Sequence, residues 1–263
     1  MNMKKRIVAT TSLLGLLFGL GIAAPTPALA ACQNPLAFTQ VNPGVGETGM
    51  RVTMTLGVSH APTVPGPTHT SHWMGIEKNV LSGWYLVQAG YAIDGPEPLN
   101  HYSFFYEFTS DTEGDTGAVN VTPSWYDSSR PDNYKGDQVF FYMWYSTTTR
   151  WGLEIKDLTK GLDYSRYIYP PSGKDASHWI QTWSILATEQ DECLLFQPLY
   201  NDAVQTFKQP QYIINGNWLW FTDCFCTQQS GPLYDGDGDN HILETAGIVD
   251  SNQYAYHTWV QHD

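Results

Sequence analysis

The chain has 263 residues, of which 13 are basic and 26 acidic, for a net charge of −13 at neutral pH. That excess of negative charge argues against nucleic acid and anionic membrane surfaces as partners. Aromatic residues at 14% beside charged residues at only 15% exclude a disordered chain and suit a sheet protein rich in Trp and Tyr.

The first element is a leader. "MNMKKR" is followed by an apolar run from Ile7 to Ala24 and then "PTPALA", the charged, apolar and small-residue order of a secretory signal. The run is broken by glycines and ends at Pro25 and Pro27, so it does not read as an internal transmembrane helix, and no later segment is long and apolar enough to be one. Cleavage after Ala30 leaves residues 31–263 as one domain of 233 residues. Lys4, Lys5 and Arg6 leave with the signal, so the basic count falls to 10 against 26 acidic residues, a net of −16. The predicted location is extracellular. "LAAC", Leu29 to Cys32, also fits a lipoprotein signal, in which Cys32 would carry the lipid anchor. With simple secretion, Cys32, Cys193, Cys224 and Cys226 make an even set for two disulfides, one of them joining Cys193 to Cys224 or Cys226.

Beyond the leader the chain reads as strands, with period-two runs rich in Tyr, Trp, Phe, Val and Thr between Gly, Pro, Asn and Asp clusters. In order they are "MRVTMTLGV", "GWYLVQAGYAI", "HYSFFYEFT", "VNVTPSWY", "DQVFFYMWYS", "RWGLEIKDLT", "SRYIYP", "SHWIQTWSI", "PQYIINGNWLWF" and "YAYHTWVQ". "HAPTVPGPTHTS", His60 to Ser71, is a proline-rich connector leading into Trp73. No amphipathic helix and no internal repeat is evident. Strands this numerous imply an all-β fold of two packed antiparallel sheets, about six or seven strands in each.

Six short motifs, in order, resemble the glutamic peptidases (eqolisins), secreted acid proteases with a concanavalin A-like β-sandwich. "HWMGIEK" (Trp73, Gly75, Ile76, Glu77) is similar to a Trp-x-Gly-Ile-Asp segment, with Glu77 in place of Asp. "LVQAG" (Gln88, Gly90) resembles a Leu-x-Gln-x-Gly strand, and "FYEF" (Tyr106, Glu107, Phe108) a Trp-Tyr-Glu-Trp strand. "KGDQV" and "EIKDLTKG" resemble two turns of the family, and "SHWIQTW" falls where it has Ala-Glu-Trp-Ile-Val-Glu. The resemblance implies that Gln88 faces a concave groove and donates its amide to the oxyanion of a tetrahedral intermediate. A glutamate on a neighbouring strand would activate water. An amide fixed on a rigid strand stabilises developing charge without reorganising, and a carboxylate of suitable pKa takes a proton from water. Trp73, Glu77, Tyr106 and Trp179 are the implied binding residues. A polar residue on a solvated sheet face is the alternative for Gln88.

The sequence departs from the family at the base. Aligned on Trp179 and Ile180, the catalytic glutamate falls on Thr182 and a second glutamate on His178. A threonine hydroxyl is no base at acid pH, and a histidine is charged there. If residues 178, 180 and 182 share one strand face, the groove keeps Gln88 and loses its partner, leaving Glu107 as the remaining carboxylate. Elsewhere, Asp235, Asp237 and Asp239 in "YDGDGDN" alternate like the start of a calcium loop. The twelfth position from Asp235 is Ala246, which excludes an EF-hand and leaves a structural calcium site or an acidic surface turn. No other cofactor is implied. His69 and His72 lack further metal ligands at fitting spacing. No Gly-x-Ser-x-Gly elbow, phosphate loop or Cys-x-x-Cys pair is present.

The expectation is a secreted monomeric sandwich whose groove binds extended polypeptide or a similar polymer without the standard catalytic dyad. Two alternatives stay open. One is an acid endopeptidase using Glu107 with Gln88 as oxyanion donor, and the other is a carbohydrate-binding sandwich, since amphipathic rings stack on flat ligand faces.

Overall fold

A computed structural model describes residues 36–57, 69–80, 83–94, 101–190, 204–223, 227–231, 233–234, 242–247 and 254–259. The expected leader, Cys32, Cys193, Cys224, Cys226, Asp235, Asp237 and Asp239 all lie outside these residues. Among the described residues no helix is long and apolar enough to cross a membrane.

The strands are β1 (Leu36–Asn42), β2 (Gly49–Thr55), β3 (His69–Val80), β4 (Gly83–Asp94), β5 (His101–Ser110), β6 (Gly114–Asp115), β7 (Val119–Val121), β8 (Gln138–Thr147) and β9 (Arg150–Asp157). They continue as β10 (Leu162–Ile168), β11 (Trp183–Gln190), β12 (Val204–Ile214), β13 (Asn217–Trp220), β14 (Thr227–Gly231), β15 (Leu233–Tyr234), β16 (Ile242–Gly247) and β17 (Tyr254–Trp259). They form two antiparallel sheets. The first, of eight strands, runs β14-β1-β11-β3-β4-β5-β6 with β7 beside β5. The second, of nine, runs β10-β9-β8-β2-β12-β17-β16-β15 with β13 beside β12. Both exceed the expected six or seven because short pieces such as β6, β7, β13 and β15 add to the longer strands.

Alternation divides each strand between two faces. Met74, Ile76, Val87, Ala89, Tyr91, Phe104 and Phe108 of the first sheet meet Met50, Val52, Met54, Phe141, Met143, Leu153 and Ile155 of the second in one inter-sheet core. Burial of these apolar side chains from both sheets is the main term holding the sandwich together. The first sheet also carries a smaller cluster on its other face, Trp73, Leu86, Ala92, Phe105, Ile185 and Ala187.

Four readings of the sequence are corrected. His69–Ser71, expected in the proline-rich connector, already belong to β3, and "VNVTPSWY" is strand only over Val119–Val121. "PQYIINGNWLWF" is a hairpin rather than one strand, because Asn215 and Gly216 take positive φ of 50° and 78° in the turn between β12 and β13. "SHWIQTWSI" is strand only from Trp183 onward. Its first part is a 3-10 helix, Ala176–Trp179, started by the Asp175 carboxylate accepting from the Ser177 amide at 2.8 Å. That helix is tied to both sheets. The Ala176 amide donates to Thr148 O at 2.7 Å, Trp151 Nε1 donates to Ala176 O at 2.9 Å, and Trp179 Nε1 donates to Thr109 O at 3.2 Å.

Candidate functional site

Gln88 lies in the middle of β4, and its parity with Leu86 and Ala92 places it on the face of the first sheet that carries the smaller apolar cluster. Registers align four strands across this point: Ile185 on β11, Gly75 on β3, Gln88 on β4 and Glu107 on β5. Directly opposed residues on neighbouring strands bring their side chains within contact. Gln88 Nε2 donates to Glu107 Oε2 at 2.7 Å, and Thr109 Oγ1, two residues along on the same face, donates to Glu107 Oε1 at 3.1 Å. Gln88 is 6% exposed and Glu107 5%. Gln88 Oε1 is buried without a hydrogen-bond partner.

Burial pushes the Glu107 carboxyl up to about 7, and the neighbouring Asp115 carboxyl adds to the effect, against the lowering by bonds from Gln88 and Thr109. Asp115 sits opposite Thr109 on the exposed edge strand β6 and is itself within hydrogen-bond reach of Glu107. Glu77 occupies the same face, in register with Leu86 and Trp183. Burial lifts it to about 7 as well, partly offset by a hydrogen bond from Trp84. Below neutral pH this face therefore holds an amide and two neutral carboxyls.

The other residues singled out in the sequence divide. Trp73, 3% exposed, shares the Gln88 face, where it packs with Leu86, Phe105 and Ile185. Tyr106 has the opposite parity to Glu107 and points into the inter-sheet core, 6% exposed. Trp179 is fully buried in that core, edge-on to Phe108 and Tyr85. His178, on the same 3-10 helix, meets Glu113 Oε1 through Nδ1 at 2.6 Å, and its ring lies edge-on to Tyr85, a core-side residue of β4. Thr182 occupies a bend just before β11. The expectation that residues 178, 180 and 182 share one strand face with Gln88 is therefore not met, because capping by Asp175 coils this segment instead of extending it. On β11 the residue in line with Gln88 is Ile185, with no carboxylate.

Thr109 and Asp115 were missed in the sequence. The signal for Thr109 was its position two residues beyond Glu107; Asp115 is found only through the return of β6 along β5. His72 is no free metal ligand. It is buried, bonded through Nδ1 to Thr188 Oγ1 at 2.9 Å, and held neutral by burial that lowers it to about 3. Among the described residues no group of three His, Cys, Asp or Glu side chains stands close enough to hold a metal ion.

No family model and no curated protein matches the sequence. Solved structures do match in three dimensions. Scytalido-glutamic peptidase with a transition-state analog inhibitor superimposes with a TM-score of 0.61 at 14% identity, over 87% of this chain and 99% of that one. The same peptidase with a peptide-based transition-state analog gives 0.60 at 15% identity with the same coverage. SCP-B, a member of the eqolisin family in complex with the tripeptide Ala-Ile-His, gives 0.54 at 15% identity, again over 87% and 99%. At these identities the likeness is one of architecture: the chain is a two-sheet antiparallel β-sandwich with the fold of the glutamic peptidases.

Proposed function

We propose that this protein is a secreted, glutamic-peptidase-like binder of extended polypeptide that lacks acid proteolysis. The observation that carries the reading is the row through Gln88: an amide at its centre, Glu107 on one side, and on the other, across Gly75, only Ile185. Structures of this fold hold a tripeptide or a peptide-based transition-state analog. In this chain an amide stands at the centre of the row, its Nε2 donating to Glu107 and its Oε1 buried without a hydrogen-bond partner, the polar feature that a polypeptide laid along this face would meet. The one carboxyl bonded to it is protonated at acid pH, so it takes no proton from water there. Loss of general-base assistance typically forfeits about 10²–10⁴ in rate.

A second reading is favoured by one specific observation. Glu107 at 2.7 Å from Gln88, with a pKa near 7, becomes an available base as pH rises through neutrality. A titration with casein and a fluorogenic peptide library from pH 3 to pH 8.5 separates the two. The binder shows no turnover at any pH, and its peptide affinity falls in Gln88→Ala. Hydrolysis that rises through pH 7 and disappears in Glu107→Gln establishes the second reading. Acid hydrolysis at pH 3–4 lost in Gln88→Ala refutes both.

A further inference from the structure

The outer face of the second sheet, away from the core and from Gln88, carries an aromatic array outside the groove reading. Phe140, Tyr142 and Trp144 alternate along β8 with the core residues Val139, Phe141 and Met143 and so point outward, each partly open to solvent. Such a run spans about 14 Å at the usual rise of a strand. Tyr142 and Trp144 stack with centroids 4.5 Å apart and planes 28° from parallel. Phe140 lies 6.5 Å from Tyr142, and Trp218 of β13 stands edge-on to Tyr142 at 5.3 Å. Trp144 lies between two glycines in register, Gly49 on β2 and Gly152 on β9. A Cβ at Gly152 would collide with the Trp144 ring, so that glycine lets the ring lie down against the backbone.

Polar groups cross the array in a single row. Glu154, Tyr142, Arg51 and Gln211 are paired in register over four strands. Arg51 Nε donates to Gln211 Oε1 at 2.6 Å while its guanidinium covers the Trp218 ring at 3.8 Å. Lys156 meets Glu154 at 3.2 Å. Lys156 and Glu154 are thus matched to each other, while Arg51 is held in place by a neutral amide and a ring and presents oriented donors. Rings in the open on a sheet whose other face is the core contribute nothing to the sandwich interior. An apolar surface threaded with fixed hydrogen-bonding groups suits a ligand having both apolar faces and polar edges.

We propose that this face binds a neutral polysaccharide, with pyranose faces stacked on the solvent-open sides of Tyr142, Trp144 and Trp218 and hydroxyl edges bonded to Arg51 and Glu154. Charge selects the neutral polymer: the protein's net −13 opposes polyanionic glycans, and Lys156 is paired with Glu154. The inference is independent of the Gln88 reading and stands if that reading fails.

The test is retention of the purified protein on microcrystalline cellulose, chitin and insoluble β-1,3-glucan, with cellohexaose, chitohexaose and laminarihexaose as soluble competitors. The wild type is expected to bind at least one solid, with release by the matching hexasaccharide and quenching of Trp fluorescence. Tyr142→Ala and Trp218→Ala each weaken binding about tenfold, the size of one lost stacking contact. Arg51→Lys, which keeps the charge but loses the planar fork, weakens it less. Near-UV circular dichroism of each variant separates lost contact from lost fold. The proposal is overturned if no solid retains the wild type. It is also overturned if folded Tyr142→Ala and Trp218→Ala bind as well as the parent, or if sedimentation shows the face buried in a dimer that Trp218→Ala dissolves.

Discussion

Replacement of Glu107 by glutamine isolates the electrostatics of the Gln88 row. The carboxyl is 5% exposed and stands at about 7 against an ordinary value of 4.5. A raised carboxyl means that the folded protein binds the proton more tightly than the unfolded chain. Its contribution to stability is full below about pH 4.5 and is lost as pH rises through 7. At about 1.4 kcal/mol per pH unit the loss amounts to about 3 kcal/mol. The substituted amide keeps the shape of the carboxyl, still accepts from Gln88 Nε2 and never ionises. In urea unfolding followed by Trp fluorescence from pH 4 to pH 9, the Glu107→Gln variant is expected to lie within about 1 kcal/mol of wild type at pH 4. It should become the more stable of the two by roughly 2–3 kcal/mol above pH 8. Glu77 and Glu47, both also raised by burial, leave a residual slope in the variant. Asp115→Asn removes the neighbouring charge and should recover part of the difference. Parallel pH profiles for wild type and Glu107→Gln would refute the argument, since Glu107 would then titrate alike in the folded and unfolded states.

Three further outcomes are expected. Gly90→Ala should abolish folding or cost more than about 3 kcal/mol, measured by thermal unfolding, because the new Cβ would collide with His72 O and lie 2.7 Å from Trp73 Cα, backbone atoms of the adjoining strand. Lys160→Met should cost about 3 kcal/mol in urea, because Lys160 bridges Asp137 and the fully buried Asp157; adding Asp157→Asn should recover part of it. Trp179→Phe should cost about 2–4 kcal/mol, from a smaller ring in a filled core and an orphaned Thr109 carbonyl, with the loss read from the urea midpoint.

The likeness to the glutamic peptidases is one of architecture, and within that architecture one row across the first sheet gathers buried polar groups. Gln88 and Glu107 form an amide and carboxyl pair inside the sheet, while the segment just before β11 is spent on structure: Trp179 on the core, His178 on Glu113.

Within single strands the sequence was a sufficient guide. Alternation along 83–94 and 101–110 placed Gln88 with Leu86, and Glu107 with Phe105, on one side, because successive side chains of any extended chain must point to opposite faces. The all-β class followed from the same periodicity repeated many times. Local turn chemistry was also present in the letters, as Asn215-Gly216 and the capping Asp175 demonstrate, although the first pair and the residues from Ser177 that follow Asp175 were read as strand. What lay beyond the letters was every relation between strands. The 2.7 Å contact of Gln88 with Glu107, the alignment of Ile185 with Gln88, the reach of Asp115 and the gathering of Arg51, Tyr142, Gln211 and Trp218 all depend on which strands lie side by side and in what register. Strand order is chosen by the burial of whole faces across about 100 residues and more, so no window of sequence contains it; only the packed sheets decide which residues meet.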